Sequence, residues 1–298
     1  MDKLVSAIVT TCRRPKEIVL RAVKSIIGQT YPHMEIIVVD DSGNDYDGRD
    51  EVKKAVLGLK SSTDKELFYF ENETRSGACV ARNVGLDNCR GEFVAFLDDD
   101  DEWRSDKIEK LISAFSDDTV MVYSNCLNVY DKTGERKIAH DYKEFRSGNI
   151  YPHLIKHNFI GSTSIPLIRT QPLKDAGGFD PLMRSAQDYD AWLRISKIGK
   201  INYLNEPLTV YHVHKGDRIT TDPQKKIDGL ERLNEKNAEY FKKHRKVAWR
   251  RNIVIIPYYV AAKKRKKAWG YWWKCVALRP FAFRTNAEYL LKYLIKKY

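Results

Sequence analysis

The chain lacks any apolar run long enough to cross a membrane as a helix. The longest apolar run near its C-terminus, residues 253–262, contains Pro257 and is about half the length that a bilayer-spanning helix needs. The chain also lacks a basic start followed by an apolar region, so we expect no secretory signal. These absences predict a protein that is soluble or bound to a membrane surface.

Cysteine is scarce and shows no paired pattern. The chain has five cysteines among 298 residues, and no two of them have the C-x-x-C spacing of a zinc or redox site. An odd number without such spacing argues against a disulfide framework. We therefore expect reduced thiols and a cytoplasmic location.

Acidic residues are rare in the last quarter of the chain, so the charge is uneven. The net charge is +12, but residues 1–220 hold 31 Lys and Arg against 34 Asp and Glu, whereas residues 221–298 hold 21 against 6. We call residues 221–298 the C-terminal extension, and we expect it to form a separate, mostly helical region. Its positive charge predicts contact with an anionic surface, either lipid headgroups or nucleic acid.

Two patterns alternate in the first part of the chain, whose apolar content is sufficient for a substantial core. Short β-branched or aromatic runs predict strands at residues 4–11, 34–41, 67–72 and 91–99. Apolar spacing predicts helices at residues 16–29, 77–91 and 105–115, the last one capped by Ser105. This alternation predicts an α/β fold with a parallel, Rossmann-like sheet. Farther along, residues 203–214 alternate like an edge strand, with Pro207 early in it.

Polar clusters follow three of the predicted strands. They are "TTCRRP" after the first strand, "DDSGND" after the second and the four aspartates 98–101 after the fourth. Each cluster alone is compatible with a solvated loop, but ligands of open α/β sheets bind beyond the carboxyl ends of the strands. Four adjacent carboxylates also need a compensating cation or strong solvation, and a divalent metal is one candidate. Together the clusters predict a binding site.

Six segments, in this order and spacing, resemble the inverting glycosyltransferases of family 2, which have the GT-A fold. They are "SAIVTTCRRP", "SIIGQTYPHMEIIVVDDSG", "GACVARNVGL", "GEFVAFLDDDDEW", "GGFDPLMRSAQDYDAWLRI" and "YHVH". The resemblance covers roughly residues 4–214. It implies a catalytic domain over residues 1–220 with a mixed, mainly parallel sheet flanked by helices, followed by the basic helical extension.

The resemblance assigns the aspartate run to the nucleotide and its metal. The D-x-D motif of the family matches Asp98, on the nucleotide side, and Asp100, which implies that Asp100 contacts Mn²⁺ or Mg²⁺. A run of four leaves the register open by one residue, so Asp99, counted here among the donor-binding residues, and Asp101 are substitutes. A metal that bridges diphosphate oxygens stabilises the negative charge that grows on the leaving group.

Three further residues match donor-binding positions of the family. Thr10 and Asp41 match positions that grip the base and the ribose, and a carboxylate can accept a hydrogen bond from either group. Arg82 has two interpretations, because it can reach the nucleotide or hold the carboxylates in place.

The resemblance also implies a base and a further metal ligand. Asp188 matches the aspartate that takes a proton from the attacking hydroxyl, and Gln187 stands where the family has Glu. Asp190 is expected to be a surface or capping charge. His214 matches a position that contacts the metal or the diphosphate, but it is also compatible with a loop histidine, and His212 on the same strand face is an alternative.

The predicted function is metal-dependent, inverting transfer from a nucleotide sugar, most simply a UDP-sugar, to a glycan or lipid-linked acceptor in cell-surface polysaccharide synthesis. The alternative is a nucleotide-binding protein with a basic tail and no transferase activity. Aromatic residues between the basic clusters of the extension predict peripheral attachment to the inner face of an anionic membrane. Docking on the catalytic domain, an oligomer interface and single-stranded nucleic acid are the other interpretations of the extension, and nucleic acid is the least favoured.

Overall fold

The computed structural model describes residues 3–130, 132–139, 146–213 and 222–295. The chain divides into two compact units. The first consists of residues 1–154, 158–181 and 188–215, and the second of residues 155–157, 182–187 and 216–298. The predicted boundary between residues 220 and 221 lies outside the described residues.

Strands and helices alternate along the first unit. The strands are β1 (Val5–Thr11), β2 (Met34–Asp40), β3 (Glu66–Glu71), β4 (Phe93–Asp98), β5 (Glu102–Trp103), β6 (Thr119–Tyr130), β7 (Glu135–Ile138), β8 (Leu167–Arg169) and β9 (Lys200–Val213). The helices before residue 200 are α1 (Lys16–Ile27), α2 (Arg49–Leu57), α3 (Ala78–Asn88), α4 (Lys107–Ser113), α5 (Tyr151–Leu154), α6 (Thr170–Asp175) and α7 (Gln187–Ile195), and a 3₁₀ turn covers Gly58–Ser62. The four strands and three helices predicted in the first part of the chain are therefore present.

All of these strands belong to one mixed sheet. Its order is β3-β2-β1-β4-β8-β6-β9-β5, and β7 pairs with β6 outside this path. The first four strands in this order are parallel, whereas β8 runs antiparallel to both of its neighbours, β4 and β6. The predicted α/β fold class is confirmed.

Helices cover both faces of the parallel part of the sheet. On one face, the apolar side of α1 packs in a single buried cluster with α2, α4 and the odd-numbered residues of β1. On the other face, α3 lies so close to β1 that a Cβ atom on Gly85 would be 2.5 Å from Ile8. Because both faces are buried, the carboxyl ends of the strands are left as the place for a ligand.

Two local predictions were wrong. The N-cap position of helix α4 is Asp106, one residue after the predicted Ser105, and its side chain makes no capping hydrogen bond. Strand β9 is not an edge strand, because it lies between β6 and the two-residue β5. Pro207 is tolerated there since the register with β6 shifts on both sides of its partner, Asn125.

The described residues after 222 are mostly helical and belong to the second unit, so the helical character of the extension is confirmed. They are α8 (Pro223–Lys236), α9 (Ala238–Lys243), α10 (Arg245–Ile253), α11 (Ile256–Ala261), α12 (Arg265–Leu278) and α13 (Phe283–Tyr289), followed by a π-helical turn at Leu290–Ile295. The core of this unit consists of Ile227, Ile253, Ile255, Ile256, Tyr259, Ala268 and Cys275. Among the described residues, no helix has the length and apolar character required to cross a membrane.

The aromatic residues of the extension divide into two groups. Trp249 and Trp272 are partly buried, and both donate their indole N–H to Asn286. Trp273, Phe281 and Phe283 are 60%, 88% and 71% exposed. Packing within the unit therefore explains the first group and leaves the second unexplained. Contiguous exposed apolar patches mark interaction surfaces, and the rings of Phe281 and Phe283 lie 6.2 Å apart.

Candidate functional site

The sheet register brings the predicted donor-binding residues to one edge. Thr10 on β1 is paired with Val39 on β2 and with Asp98 on β4. Asp41 directly follows β2, and its N–H donates to the carbonyl of Thr11. The polar clusters after β1, β2 and β4 are therefore neighbours, as the sequence predicted.

A strained turn after β1 delivers an arginine to the aspartate run. Arg13 has a φ of 52°, in the left-handed region that residues other than glycine rarely adopt, and its N–H donates to the Ser42 hydroxyl. The next residue, Arg14, donates from Nε to Asp99 and from Nη2 to Asp100, both at 3.1 Å. One guanidinium thus bridges two carboxylates, and sequence reasoning missed Arg14 although it lies in the "TTCRRP" cluster.

The aspartate run alternates between exposed and buried side chains. Asp98 and Asp100 keep 29% and 23% of their side chains exposed. Asp99 is 6% exposed and Asp101 is fully buried. The two carboxylates of the run that reach solvent are therefore those assigned to the D-x-D motif.

The buried members of the run are held by hydroxyl groups. Asp99 accepts a hydrogen bond from Thr11 at 2.8 Å, and burial raises the pKa of Asp99 to about 6 despite the opposing charge of Arg14. Asp101 accepts from Ser164 at 2.6 Å, and burial together with the charge of Asp98 raises its pKa well above the usual range. Because Asp99 is buried and accepts a hydrogen bond from Arg14, its position suits the orientation of that arginine better than contact with a nucleotide.

Asp98 is fixed from two sides. Arg82 on α3 donates to its Oδ1 at 2.8 Å, and Thr163 donates to the same oxygen at 3.0 Å. Arg82 itself is buried and lies 5.5 Å from the ring centroid of Phe179. Arg82 had two interpretations, contact with the nucleotide or holding of the carboxylates. The hydrogen bond to Asp98 is a contact of the second kind.

A buried lysine lies beneath the run. The ammonium group of Lys107 donates to the carbonyls of Ser164 and Ile165 and to the hydroxyl of Thr209 at 2.6–2.8 Å, and it lies 4.9 Å from the Trp103 ring centroid. Burial lowers the pKa of Lys107 well below its usual range. The three acceptors give the buried amino group the hydrogen-bond partners that it loses by leaving water. Neither Lys107 nor Ser164 was among the predicted site residues.

The carboxylate of Asp41 is already engaged within the protein. It is 3% exposed and accepts hydrogen bonds from Asn72 Nδ2 and from the backbone N–H groups of Ser76 and Gly77 at 2.7–2.9 Å. These bonds hold the loop that leads into α3, where Gly77 has a φ of 95°. Its predicted contact with the base would have to be made alongside these bonds.

Asp188 lies in the first turn of α7, two residues after another strained residue, Ala186, whose φ is 55°. Its Oδ2 accepts a hydrogen bond from Asn158 Nδ2 at 3.2 Å.

Asp190 is not the predicted surface charge, because it is 2% exposed and pairs with Arg194 at 2.8 Å. The ion pair with Arg194, one helical turn away, offsets part of the cost of burying this carboxylate.

The histidine predictions divide at the end of β9. His214 lies outside the described residues. His212 is 12% exposed in its side chain, and its Nε2 lies 2.6 Å from Glu102, directly after the aspartate run. The alternative histidine is therefore bound to a carboxylate.

The aspartates can supply only some of the ligands that a metal ion needs. In the stretches that the structure describes, no group of three or more His, Cys, Asp and Glu residues is arranged to hold a metal ion. Mg²⁺, however, is typically bound through one or two carboxylates together with substrate phosphates. Asp98 and Asp100 supply hard oxygen atoms of this kind at the exposed edge, so they fit a metal that arrives with a diphosphate.

Comparison with known proteins agrees with this arrangement. The family model described as "Glycosyl transferase family 2" matches residues 6–175. The "Putative teichuronic acid biosynthesis glycosyltransferase TuaG" of Bacillus subtilis is 30% identical over 215 residues, covering 70% of this chain and 78% of that protein. The "UDP-Glc:alpha-D-GlcNAc-diphosphoundecaprenol beta-1,3-glucosyltransferase WfgD" of Escherichia coli is 30% identical over 206 residues, covering 69% and 75%.

Among solved structures, the mannosyltransferase PcManGT from Pyrobaculum calidifontis, in complex with GDP-Man and Mn²⁺, matches 96% of this chain and 80% of its own with a TM-score of 0.62. The sequence identity is 18%, so this likeness concerns the fold. It confirms the predicted GT-A architecture.

Proposed function

The chain belongs to glycosyl transferase family 2 and is an inverting glycosyltransferase, and we propose that it transfers a sugar from a UDP-sugar to a lipid-linked glycan acceptor with the help of Mn²⁺ or Mg²⁺. The observation that carries the proposal is the alternation in the aspartate run, which exposes Asp98 and Asp100 at the edge where Thr10 lies. Family membership removes the basis of the alternative, a nucleotide-binding protein without transferase activity.

In the proposed reaction, the exposed carboxylates receive the donor. Asp98 accepts hydrogen bonds from the nucleotide side, Asp100 would hold the metal ion, and Thr10 borders the base. A metal held there would supply positive charge to offset the charge of the departing diphosphate. Arg82 and Arg14 keep the two carboxylates in position, since each arginine already donates to one of them. Asp41 shapes the loop on which the base rests, and His214 remains a proposed further ligand.

Asp188 is the proposed base. An inverting transfer requires the acceptor hydroxyl to attack from the face opposite the leaving group while a carboxylate accepts its proton. Asp188 is half-buried in the first turn of α7, held by the amide of Asn158. A carboxylate in such a fixed orientation can take the proton without rearranging.

The names of two relatives support the donor and acceptor classes. One is named for teichuronic acid biosynthesis and the other for transfer from UDP-Glc to a sugar on diphosphoundecaprenol. We therefore propose cell-surface polysaccharide synthesis at the inner face of the cell membrane. To test this, purified protein is incubated with Mn²⁺, a panel of UDP-sugars and undecaprenyl-diphosphate-linked GlcNAc. We expect UDP release that depends on the acceptor and a product of inverted anomeric configuration by NMR. Release with no dependence on the acceptor, or a retained configuration, would contradict the proposal.

The second unit supports attachment to an anionic membrane. Trp273 is exposed on α12, and Phe281 and Phe283 are exposed just beyond its end. The segment 263–267, which leads into the first turn of α12, carries five consecutive basic residues. Exposed rings insert at headgroup depth, and each nearby Lys or Arg adds about 1 kcal/mol of attraction to an anionic surface.

We expect the full chain to float with vesicles that contain anionic phosphatidylglycerol, and to float less at high salt because salt screens the charge attraction. Vesicles of phosphatidylcholine alone serve as the neutral control. A variant with Trp273→Ala and Phe281→Ala should lose most of the retention that remains at high salt, since that part depends on the rings. Binding to single-stranded nucleic acid but not to vesicles would contradict membrane attachment.

A further inference from the structure

One short segment of the first unit contacts both the donor side and the acceptor side of the proposed site. We call residues 158–164 the linking segment. At its start, Asn158 donates to Asp188, and near its end Thr163 donates to Asp98. The last residue, Ser164, donates to Asp101 and accepts the N–H of Asp98. The proposed base and the proposed donor ligand are therefore joined through seven consecutive residues of backbone.

The orientation of the Asn158 amide is determined by its own turn. Its Oδ1 accepts the backbone N–H groups of Ile160 at 3.2 Å and Gly161 at 3.1 Å. An oxygen that accepts two N–H groups cannot exchange places with the NH₂ group without turning both bonds into repulsions. The NH₂ group must therefore face Asp188 and act as a donor to it.

The linking segment contacts the same helix at a second point. The carbonyl of Gly161 accepts the indole N–H of Trp192 at 3.1 Å. Trp192 lies four residues after Asp188, so both contacts are on one face of α7. Gly161 has a φ of 93°, and a Cβ atom there would lie 2.8 Å from Ile165, so only glycine fits this turn. The first two turns of α7 are thus held along one face by the segment.

The other end of the linking segment is held by a buried lysine. The buried ammonium group of Lys107 binds the carbonyls of Ser164 and Ile165. With Thr163 and Ser164 both bonded to the aspartate run, this end has little freedom to move. A displacement of the segment at Asn158 would therefore change the position of Asp188 relative to Asp98.

We propose that Asn158 is a positioning residue, whose amide orients the carboxylate of Asp188 toward the acceptor hydroxyl and ties it to the donor side through the linking segment. The proposal rests on the proposed role of Asp188 as the base. A base must lie within hydrogen-bonding reach of the proton that it removes, and misplacement by about 1 Å can cost about 10²-fold in rate. Asn158 touches neither substrate in this proposal and acts only through Asp188.

Two variants separate this role from the formation of the turn. Asn158→Asp keeps an oxygen that accepts the N–H groups of Ile160 and Gly161, but it replaces the NH₂ group that donates to Asp188 at 3.2 Å and to the carbonyl of Gly161 at 3.4 Å. Asn158→Ala removes both. We expect each variant to lower kcat about 10- to 100-fold with the KM for the donor changed less than about threefold, and Asn158→Asp to unfold at a temperature closer to that of the wild type. Asn88→Ala, at an exposed asparagine at the end of α3, serves as the control and should have wild-type kcat.

A double variant measures the coupling. If Asn158 acts through Asp188, adding Asn158→Asp to Asp188→Asn should lower the residual rate by less than about twofold, because the group that it orients is already gone. Wild-type kcat in Asn158→Asp would show that only the turn matters and would overturn the positioning role alone. A full additional loss in the double variant would overturn it as well. If Asp188→Asn transfers sugar at the wild-type rate, the proposed base is wrong, and the role of Asn158 fails with it.

Discussion

Replacing Asp188 with asparagine should lower kcat about 10²- to 10⁴-fold, the range that general base catalysis contributes. Asparagine has nearly the same shape and can still accept the hydrogen bond from Asn158, but its amide cannot take the proton of the attacking hydroxyl. Donor binding should persist, because the role proposed for Asp188 is on the acceptor side, as a base for the attacking hydroxyl. The measurements are the rate of acceptor-dependent UDP release and the affinity for UDP by calorimetry.

The matched control is Asp87→Asn, which makes the same chemical change at an exposed aspartate on α3 and should leave kcat unchanged. Thermal unfolding of both variants checks that neither loses the fold. If Asp188→Asn loses UDP affinity and transfer together, Asp188 belongs to the donor site rather than to the acceptor side. An unchanged kcat would mean that another group takes the proton.

The sequence predicts the scaffold of the site well because local patterns specify it. The strands that end at Thr10 and Asp98 are short apolar runs, and the parallel pairing that brings these two residues side by side follows from the alternation of strands and helices. Strand ends and polar clusters can therefore be located without knowing any contact. The exposure of Asp98 and Asp100 in the assigned register also agrees with the family motif.

Contacts between distant segments could not be predicted in this way. The crowded carboxylates were expected to need a cation or strong solvation, and the protein supplies arginines. Arg82, for which holding the carboxylates was one of two interpretations, reaches Asp98, but Arg14, which was not predicted, reaches Asp99 across 85 positions of sequence. The spacing of residues along the sequence does not predict an ion pair between segments so far apart. Asp190 shows a different limit: its partner Arg194 is only four residues away, a spacing that pairs side chains on a helix, but the burial of the pair depends on how α7 packs. The linking segment has no motif of its own, and its importance follows only from what Asn158 and Thr163 touch.

Removing divalent metal with a chelator should lower transfer about 10³-fold, because a metal at the diphosphate contributes several kcal/mol of transition-state stabilisation and each 1.4 kcal/mol is about tenfold in rate. Adding back Mn²⁺ or Mg²⁺ should restore the rate. Replacing Asp100 with asparagine should raise the metal concentration needed for half-maximal rate by about tenfold or more, since it weakens the carboxylate ligand. The measurement is the initial rate over a titration of Mn²⁺ at saturating donor.

Asp99→Asn is the matched comparison, because it makes the same change one residue away on a buried side chain. Asp99 is bound by Thr11 and Arg14 and has little access to solvent, so its replacement should leave the half-maximal metal concentration within about twofold while lowering thermal stability. The opposite result, with metal dependence altered by Asp99→Asn and not by Asp100→Asn, would shift the motif by one residue. If transfer continues at the same rate after complete chelation, arginines rather than a metal neutralise the charge of the diphosphate. Arg14 and Arg82, which already donate to the aspartate run, would then be the first residues to replace.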